Sequence, residues 1–192
     1  MTPLPDSLLE AVASAAVREG LADAVFTRLK TPIGKLLVVQ GPEGIARIGF
    51  EEEPEDALLA GVAAELGPRV VASDRELAGT REALSAYLEG EGETLDLPVD
   101  LGLVHAPFRH KVLETLHDTV RRGEVVTYGA LAARSGNAKA FRAAATACAR
   151  NPVPIVVPCH RVLPGTGRLG NYGGGPERKA ALLRLEGVSP RP

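Results

Sequence analysis

The spacing of apolar residues changes character along this chain. Over 7–20, Leu8, Leu9, Val12, Ala15 and Ala16 recur at helical intervals, and Gly20 stands where such a helix would stop. The pattern then becomes that of strands. Segments 24–29, 35–39 and 45–50 read as three strands, separated by Thr31-Pro32-Ile33-Gly34 and Gly41-Pro42-Glu43-Gly44. That turn chemistry predicts an antiparallel meander. Residues 51–56 are acidic and solvated. Helices are predicted over 57–66, ending at Gly67-Pro68, and over 74–89, with Leu77, Leu84 and Leu88 on one side and Gly90 at the end. Val70-Val71 reads as a short strand between them, and 91–100 as polar, then extended.

Beyond residue 101 the pattern is helical. Phe108, Val112, Leu113, Leu116 and Val120 form an apolar stripe over 107–122, which ends at Gly123. Thr127 is a good N-cap for a short helix over 128–134. Ser135-Gly136-Asn137 makes a turn, and a further helix is predicted over 138–150, closed by Asn151-Pro152. Two short helices about a glycine-containing turn have the form of a helix-turn-helix. The fold class expected is therefore α+β: an N-terminal helical extension over 1–22, a small antiparallel-sheet domain with helices over 23–100, and a mostly helical domain over 101–192.

Composition narrows the function classes. With 21 Gly and 15 Pro, the chain is rich in turns yet of ordinary globular hydrophobicity. No apolar run approaches the roughly 20 residues that a membrane-spanning helix needs. Met1 to Asp6 carries no basic, signal-like start, so a cytoplasmic location is expected. Two cysteines, Cys148 and Cys159, make no disulfide framework, and no histidine pairs with either at metal-ligand spacing, so no metal is expected. The net charge of −2 conceals a division. Residues 1–104 hold 8 Lys+Arg against 19 Asp+Glu, whereas 105–192 hold 14 against 5. A basic half can face a polyanion, or the two halves can attract each other.

The segment 138–150 contains seven alanines together with Lys139, Arg142 and Arg150. So smooth a helix can pack tightly inside the protein. It can equally enter a narrow minor groove, with Arg142 projecting into the duplex. The sharpest chemical feature follows it. In Asn151-Pro152-Val153-Pro154-Ile155-Val156-Val157-Pro158-Cys159-His160-Arg161-Val162, three prolines fix φ within seven residues, so the stretch is not helical. Ile155-Val156-Val157 is apolar enough to be buried. Cys159 then ends a stiff segment of the kind positional catalysis requires. A free thiol titrates near 8.5, so a base is needed, and His160 is adjacent. The histidine in turn needs an orienting group. Glu186 follows Leu182 and Leu183 by four and three residues, on their apolar face, in a helix that starts at Pro176 and stops at Gly187. A carboxylate facing a core requires a partner. Spacing alone does not identify that partner as His160.

Residues 105–187 resemble the catalytic domain of the O6-alkylguanine-DNA alkyltransferases, also called methylated-DNA–protein-cysteine methyltransferases. The resemblance rests on Pro158-Cys159-His160-Arg161-Val162, the preceding Asn151-Pro152-Val153-Pro154-Ile155, Gly123-Glu124-Val125-Val126-Thr127-Tyr128, Gly170-Asn171-Tyr172-Gly173-Gly174-Gly175 and Leu185-Glu186-Gly187, in the family's order and spacing. Residues 24–100 resemble the smaller N-terminal domain only loosely. The resemblance implies irreversible transfer of the alkyl group from O6-alkylguanine, and less well O4-alkylthymine, to Cys159 after minor-groove binding and base flipping. It implies that His160 deprotonates Cys159 through a water, that Glu186 orients His160, and that Asn151 braces the loop. Tyr128 helps extrude the nucleotide and donates to the purine. Arg142 fills the gap, with Thr127, Ala138, Lys139, Ala143 and Arg150 on the DNA face. Val162, Tyr172, Gly173 and Lys179 surround the base. The expected partner is alkylated double-stranded DNA, and the expected species a monomer that uses no cofactor and is consumed by one turnover.

The sequence departs from the family pattern at Ala144-Ala145 and Cys148-Ala149, where glycine or asparagine is frequent, and at Gly173, where serine is frequent and whose small size favours larger alkyl groups. Three rival readings meet the same residues. A damage-binding relative that transfers nothing lacks the acceptor cysteine. A helix-turn-helix regulator leaves the stiff Pro-Cys-His loop without a purpose. A cysteine hydrolase needs an oxyanion hole and leaves the basic helix unused.

Overall fold

The structure is a computed structural model, and it describes residues 5–92 and 94–189. The chain forms two compact units: residues up to 89 with 97–103, and residues 90–96 with 104 onward. Among the described residues, no helix is long and apolar enough to cross a membrane.

The first unit is a four-stranded sheet with helices. Helix α1 (Asp6–Arg18) precedes strands β1 (Ala24–Thr31), β2 (Gly34–Gly41) and β3 (Gly44–Phe50). Helix α2 (Glu55–Leu66), strand β4 (Val70–Ala72) and helix α3 (Ala78–Glu89) follow. The strand order is β3-β2-β1-β4. The meander read from the alternating pattern is present, and β4 joins its edge parallel to β1. Phe26, Leu37 and Val39 on one sheet face pack with Leu58 and Val62 of α2. The helix predicted over 74–89 begins four residues later. Ser73 Oγ accepts from Glu76 N at 3.2 Å, which holds 74–77 as a turn.

The second unit contains α4 (Pro107–Thr119), β5 (Val126–Thr127), α5 (Tyr128–Arg134), α6 (Phe141–Ala149), a single 3-10 turn over Cys159–Arg161, β6 (Val162–Leu163) and α7 (Gly175–Leu185). Its core gathers Val112, Leu113 and Leu116 of α4, Leu131 of α5, Ala144 and Ala147 of α6, and Leu182 and Leu183 of α7. Helices α4, α5 and α6 pack on one another. The N-cap reading of Thr127 holds: its Oγ1 accepts from Ala130 N at 3.1 Å.

The helix expected over 138–150 is shorter than its alanine content suggests. Asn137 accepts from Lys139 N through its side chain at 3.2 Å and from Ala140 N through its carbonyl at 3.0 Å. These bonds give the backbone a turn as an alternative to helix. Ala138 and Lys139 therefore sit in the turn that leads into α6, and Arg150 caps its other end.

Strands β5 and β6 pair in parallel, Val126 with Val162 and Thr127 with Leu163. This short ladder fixes the start of α5, and thus Tyr128, beside the chain that leaves the Cys159 turn.

Candidate active site

Residues 151–163 are all buried. Asn151 organises them. Its Oδ1 accepts from Val153 N at 3.0 Å, and its Nδ2 donates to Val157 O at 2.8 Å and to Cys159 Sγ at 3.1 Å. Val157 N returns to Val153 O at 2.9 Å, closing the loop on itself. Ile155 within it has φ +78°, the one positive value at a non-glycine among the described residues. A β-branched residue held there stores on the order of 1–3 kcal/mol, sustained only by a surround that fixes it. The stiffness read from the prolines is thus reinforced by a side-chain brace.

The 3-10 turn presents Cys159 and His160 in succession. His160 Nε2 lies 2.7 Å from Glu186 Oε1, and both side chains are fully buried. Glu186 occupies the C-cap of α7, one residue past the helix proper, and Gly187 takes φ +79° beyond it. Arg161 completes the cluster. Its Nε donates to Glu186 Oε2 at 2.9 Å, its Nη2 to Oε1 at 3.0 Å and its Nη1 to Val120 O at 2.7 Å. One carboxylate thus holds both the imidazole and the guanidinium. The other ring nitrogen, His160 Nδ1, is buried and meets no hydrogen-bonding atom of the described residues.

Burial dominates the electrostatics. It pushes the Cys159 thiol up to about 11, against the opposing pull of the Asn151 amide and the Lys179 ammonium. Burial also depresses His160 below its usual range, although Glu186 pulls the other way, so the ring is neutral near pH 7. Tyr128 is raised to about 12 by burial, then by the neighbouring cysteines, and keeps its proton as a donor. Lys179 is lowered by burial; its Nζ donates to Val162 O at 2.9 Å and Asn171 O at 3.4 Å.

Cys159 is 5% exposed, and what it faces is a cavity of about 600 Å³. Tyr128 of α5, Ala145, Thr146, Cys148 and Ala149 of α6, and Pro164 and 170–173 of the following loop form the rest of the wall. A Cβ on Gly170, at φ +67°, would meet the Pro164 ring at 2.9 Å, so glycine lets this loop fold over the cavity. A Cβ on Gly173 would meet nothing within 4 Å. The His160 and Tyr172 rings stand edge to face, with centroids 6.4 Å apart. A buried thiol, an imidazole–carboxylate pair beside it and an open, mostly apolar cavity in front suit attack by sulfur on a group delivered from outside.

Comparison with known proteins gives the same direction. Residues 107–188 match the family model described as 6-O-methylguanine DNA methyltransferase, DNA binding domain. Residues 24–101 match the ribonuclease-like domain of the same description. A Cricetulus griseus methylated-DNA–protein-cysteine methyltransferase is 35% identical over 86% of this chain and 83% of its own length. The Homo sapiens protein of that name is 37% identical over 84% of this chain and 79% of its own. The chain belongs to the methylated-DNA–protein-cysteine methyltransferase family. Among solved structures, Mycobacterium tuberculosis OGT in complex with DNA superposes with a TM-score of 0.72 at 31% identity, covering 84% of this chain and 92% of that one.

Within this methyltransferase fold, the residues picked out in sequence fall into three groups. Cys159, His160, Glu186, Asn151 and Tyr128 converge on the cavity or directly behind it. Tyr172 and Gly173 line the cavity, whereas Val162 and Lys179 lie behind the wall, bonded to each other. Ala138, Lys139, Arg142, Ala143 and Arg150 are exposed, on α6 or at its ends, and Thr127 is exposed at the N-cap of α5. Sequence reasoning missed two contributors. Arg161 is sequence-adjacent to His160 but finds Glu186 only through tertiary packing. Cys148 lines the same cavity, and its spacing from Cys159 in sequence gave no sign of that.

Proposed function

We propose that this protein repairs DNA by direct transfer of an alkyl group from O6-alkylguanine, and less efficiently from O4-alkylthymine, to Cys159 in a single turnover. The observation that carries the reading is Cys159 facing the cavity, with the Asn151 amide on its sulfur and the His160–Glu186 pair behind it.

The target base must leave the stack to reach a buried sulfur, at a general cost of a few kcal/mol. The cavity in front of Cys159 receives it. The thiol proton passes to His160 Nδ1, through a water as the family resemblance implies, and Glu186 steadies the resulting imidazolium. The sulfur then attacks the alkyl carbon. A sulfur–carbon bond forms as the carbon–O6 bond breaks, and the electron pair goes to the purine. Tyr128, neutral and facing the cavity, donates to the purine as its charge rises. The thioether product is not readily hydrolysed, so the protein is consumed. Arg142 occupies the space the base leaves, and the exposed face of α6 lies in the minor groove with Thr127, Lys139 and Arg150 beside it. The active species is a monomer on alkylated double-stranded DNA.

The test is a titration of O6-methylguanine duplex with protein. Repair stops when one lesion has been removed per protein molecule, and Cys159→Ala binds the duplex but removes none. Full repair by that variant, or many lesions removed per molecule, contradicts the proposal.

A further inference from the structure

Helix α6 opens with an aromatic ring that the core does not use. Phe141 is 47% exposed, whereas Ala144, Ala147 and Cys148 turn the helix's buried side inward. The Arg142 guanidinium carbon sits 5.1 Å from the Phe141 ring centroid, which orients the two side chains as a stacked pair. Positions 141 and 145 share a helix face, about 6 Å apart along the axis. Ala145 is part of the cavity wall, so Phe141 stands one turn before the mouth of the cavity. The rest of the exposed surface of α6 is smooth: Ala143, Thr146 and Ala149 project little.

We propose that Phe141 is a second duplex wedge, inserting into the minor groove with Arg142 and stacking on the base pair next to the extruded nucleotide. The inference rests on the reading that α6 enters DNA. Extrusion leaves a gap with two needs. The orphaned base requires hydrogen bonds, which a guanidinium supplies. The flanking base pair requires a stacking surface, which a guanidinium covers only in part and a phenyl ring covers well. Apolar side chains are inserted between base steps from the minor groove by other proteins, which unstack and kink the duplex with them, and base–aromatic stacking is indifferent to sequence. Phe141 is therefore a specificity-determining residue for duplex substrates. It has no part in the chemistry at Cys159.

Phe141→Ala, Phe141→Trp and wild type are compared on two substrates: O6-methylguanine in a duplex with 2-aminopurine beside the lesion, and free O6-benzylguanine. The expected result for Phe141→Ala is a duplex transfer rate about tenfold lower, the size of one lost base–aromatic stack, and weaker quenching of 2-aminopurine. Its reaction with the free base stays at the wild-type rate, and Phe141→Trp restores the duplex rate. Wild-type duplex rates in Phe141→Ala overturn the inference, as does an equal loss on both substrates. A wild-type protein that accepts alkyl from neither substrate sinks the function proposed above and this inference with it.

Discussion

At Cys159 two influences oppose each other on one sulfur. Burial favours the neutral thiol, while the Asn151 amide and the Lys179 ammonium favour the thiolate, and burial wins, leaving the group at about 11. At rest Cys159 thus keeps its proton near neutral pH. The sign is testable. Below a raised thiol value the thiolate fraction grows about tenfold per pH unit. Alkylation of Cys159 by iodoacetamide, followed by peptide mass, should therefore keep rising from about pH 7 to about pH 10. A plateau below about pH 8 would show a thiolate already formed at rest. The carboxylate of Glu186 carries a structural duty as well. Glu186→Gln removes the carboxylate that pairs with the buried Arg161 guanidinium, and breaking a buried ion pair costs about 3–5 kcal/mol. Denaturant unfolding reads this directly; a loss below about 1 kcal/mol, the range of exposed pairs, would contradict the geometry.

At the scale of elements, α5 and α6 depend on local polar chemistry more than on propensity. Thr127 caps α5 and, through the β5–β6 pairing, ties Tyr128 to the Cys159 turn. Removing such a cap costs about 1 kcal/mol. Thr127→Ala should lose about that much in thermal unfolding, and Thr127→Ser should retain most of it; equal stability of both variants would contradict the capping role. The same two helices show what a sequence discloses. Thr127 and the span of α5 were legible because cap and period agree. The start of α6 was not, since Ala138-Lys139-Ala140 reads as excellent helix while Asn137 draws both neighbouring amides into a turn. Phe141 was hidden for the same reason, lying within an apparently continuous helix. The β1–β3 meander was legible from alternation and turns. The parallel pairing of β4 with β1 was not, because no local pattern records which distant strand a short apolar run will join. Glu186 could be placed facing inward from its spacing, but its grip on His160 and Arg161 is made across 26 and 25 residues respectively, beyond any local signal.

Across the whole chain, charge is distributed unevenly: residues 105–192 hold 14 Lys+Arg against 5 Asp+Glu. A surface that neutralises phosphates releases counterions, so affinity for duplex DNA should fall linearly in a log–log plot against salt. Replacing Lys139 or Arg150, both exposed beside α6, should reduce that slope by about one per contact removed. A flat salt response would count against this face. In the function proposed above, the basic half brings DNA to α6, and the cavity that α6 helps to line leads to one sulfur. If that reading is right, this sulfur keeps the alkyl group. After incubation with an O6-methylguanine duplex, digestion and peptide mass analysis should find one methyl group in place of the thiol hydrogen on the peptide containing Cys159, in step with restored guanine. Restored guanine with an unmodified Cys159 peptide, or with methyl on the peptide containing Cys148, would show that Cys159 is not the acceptor.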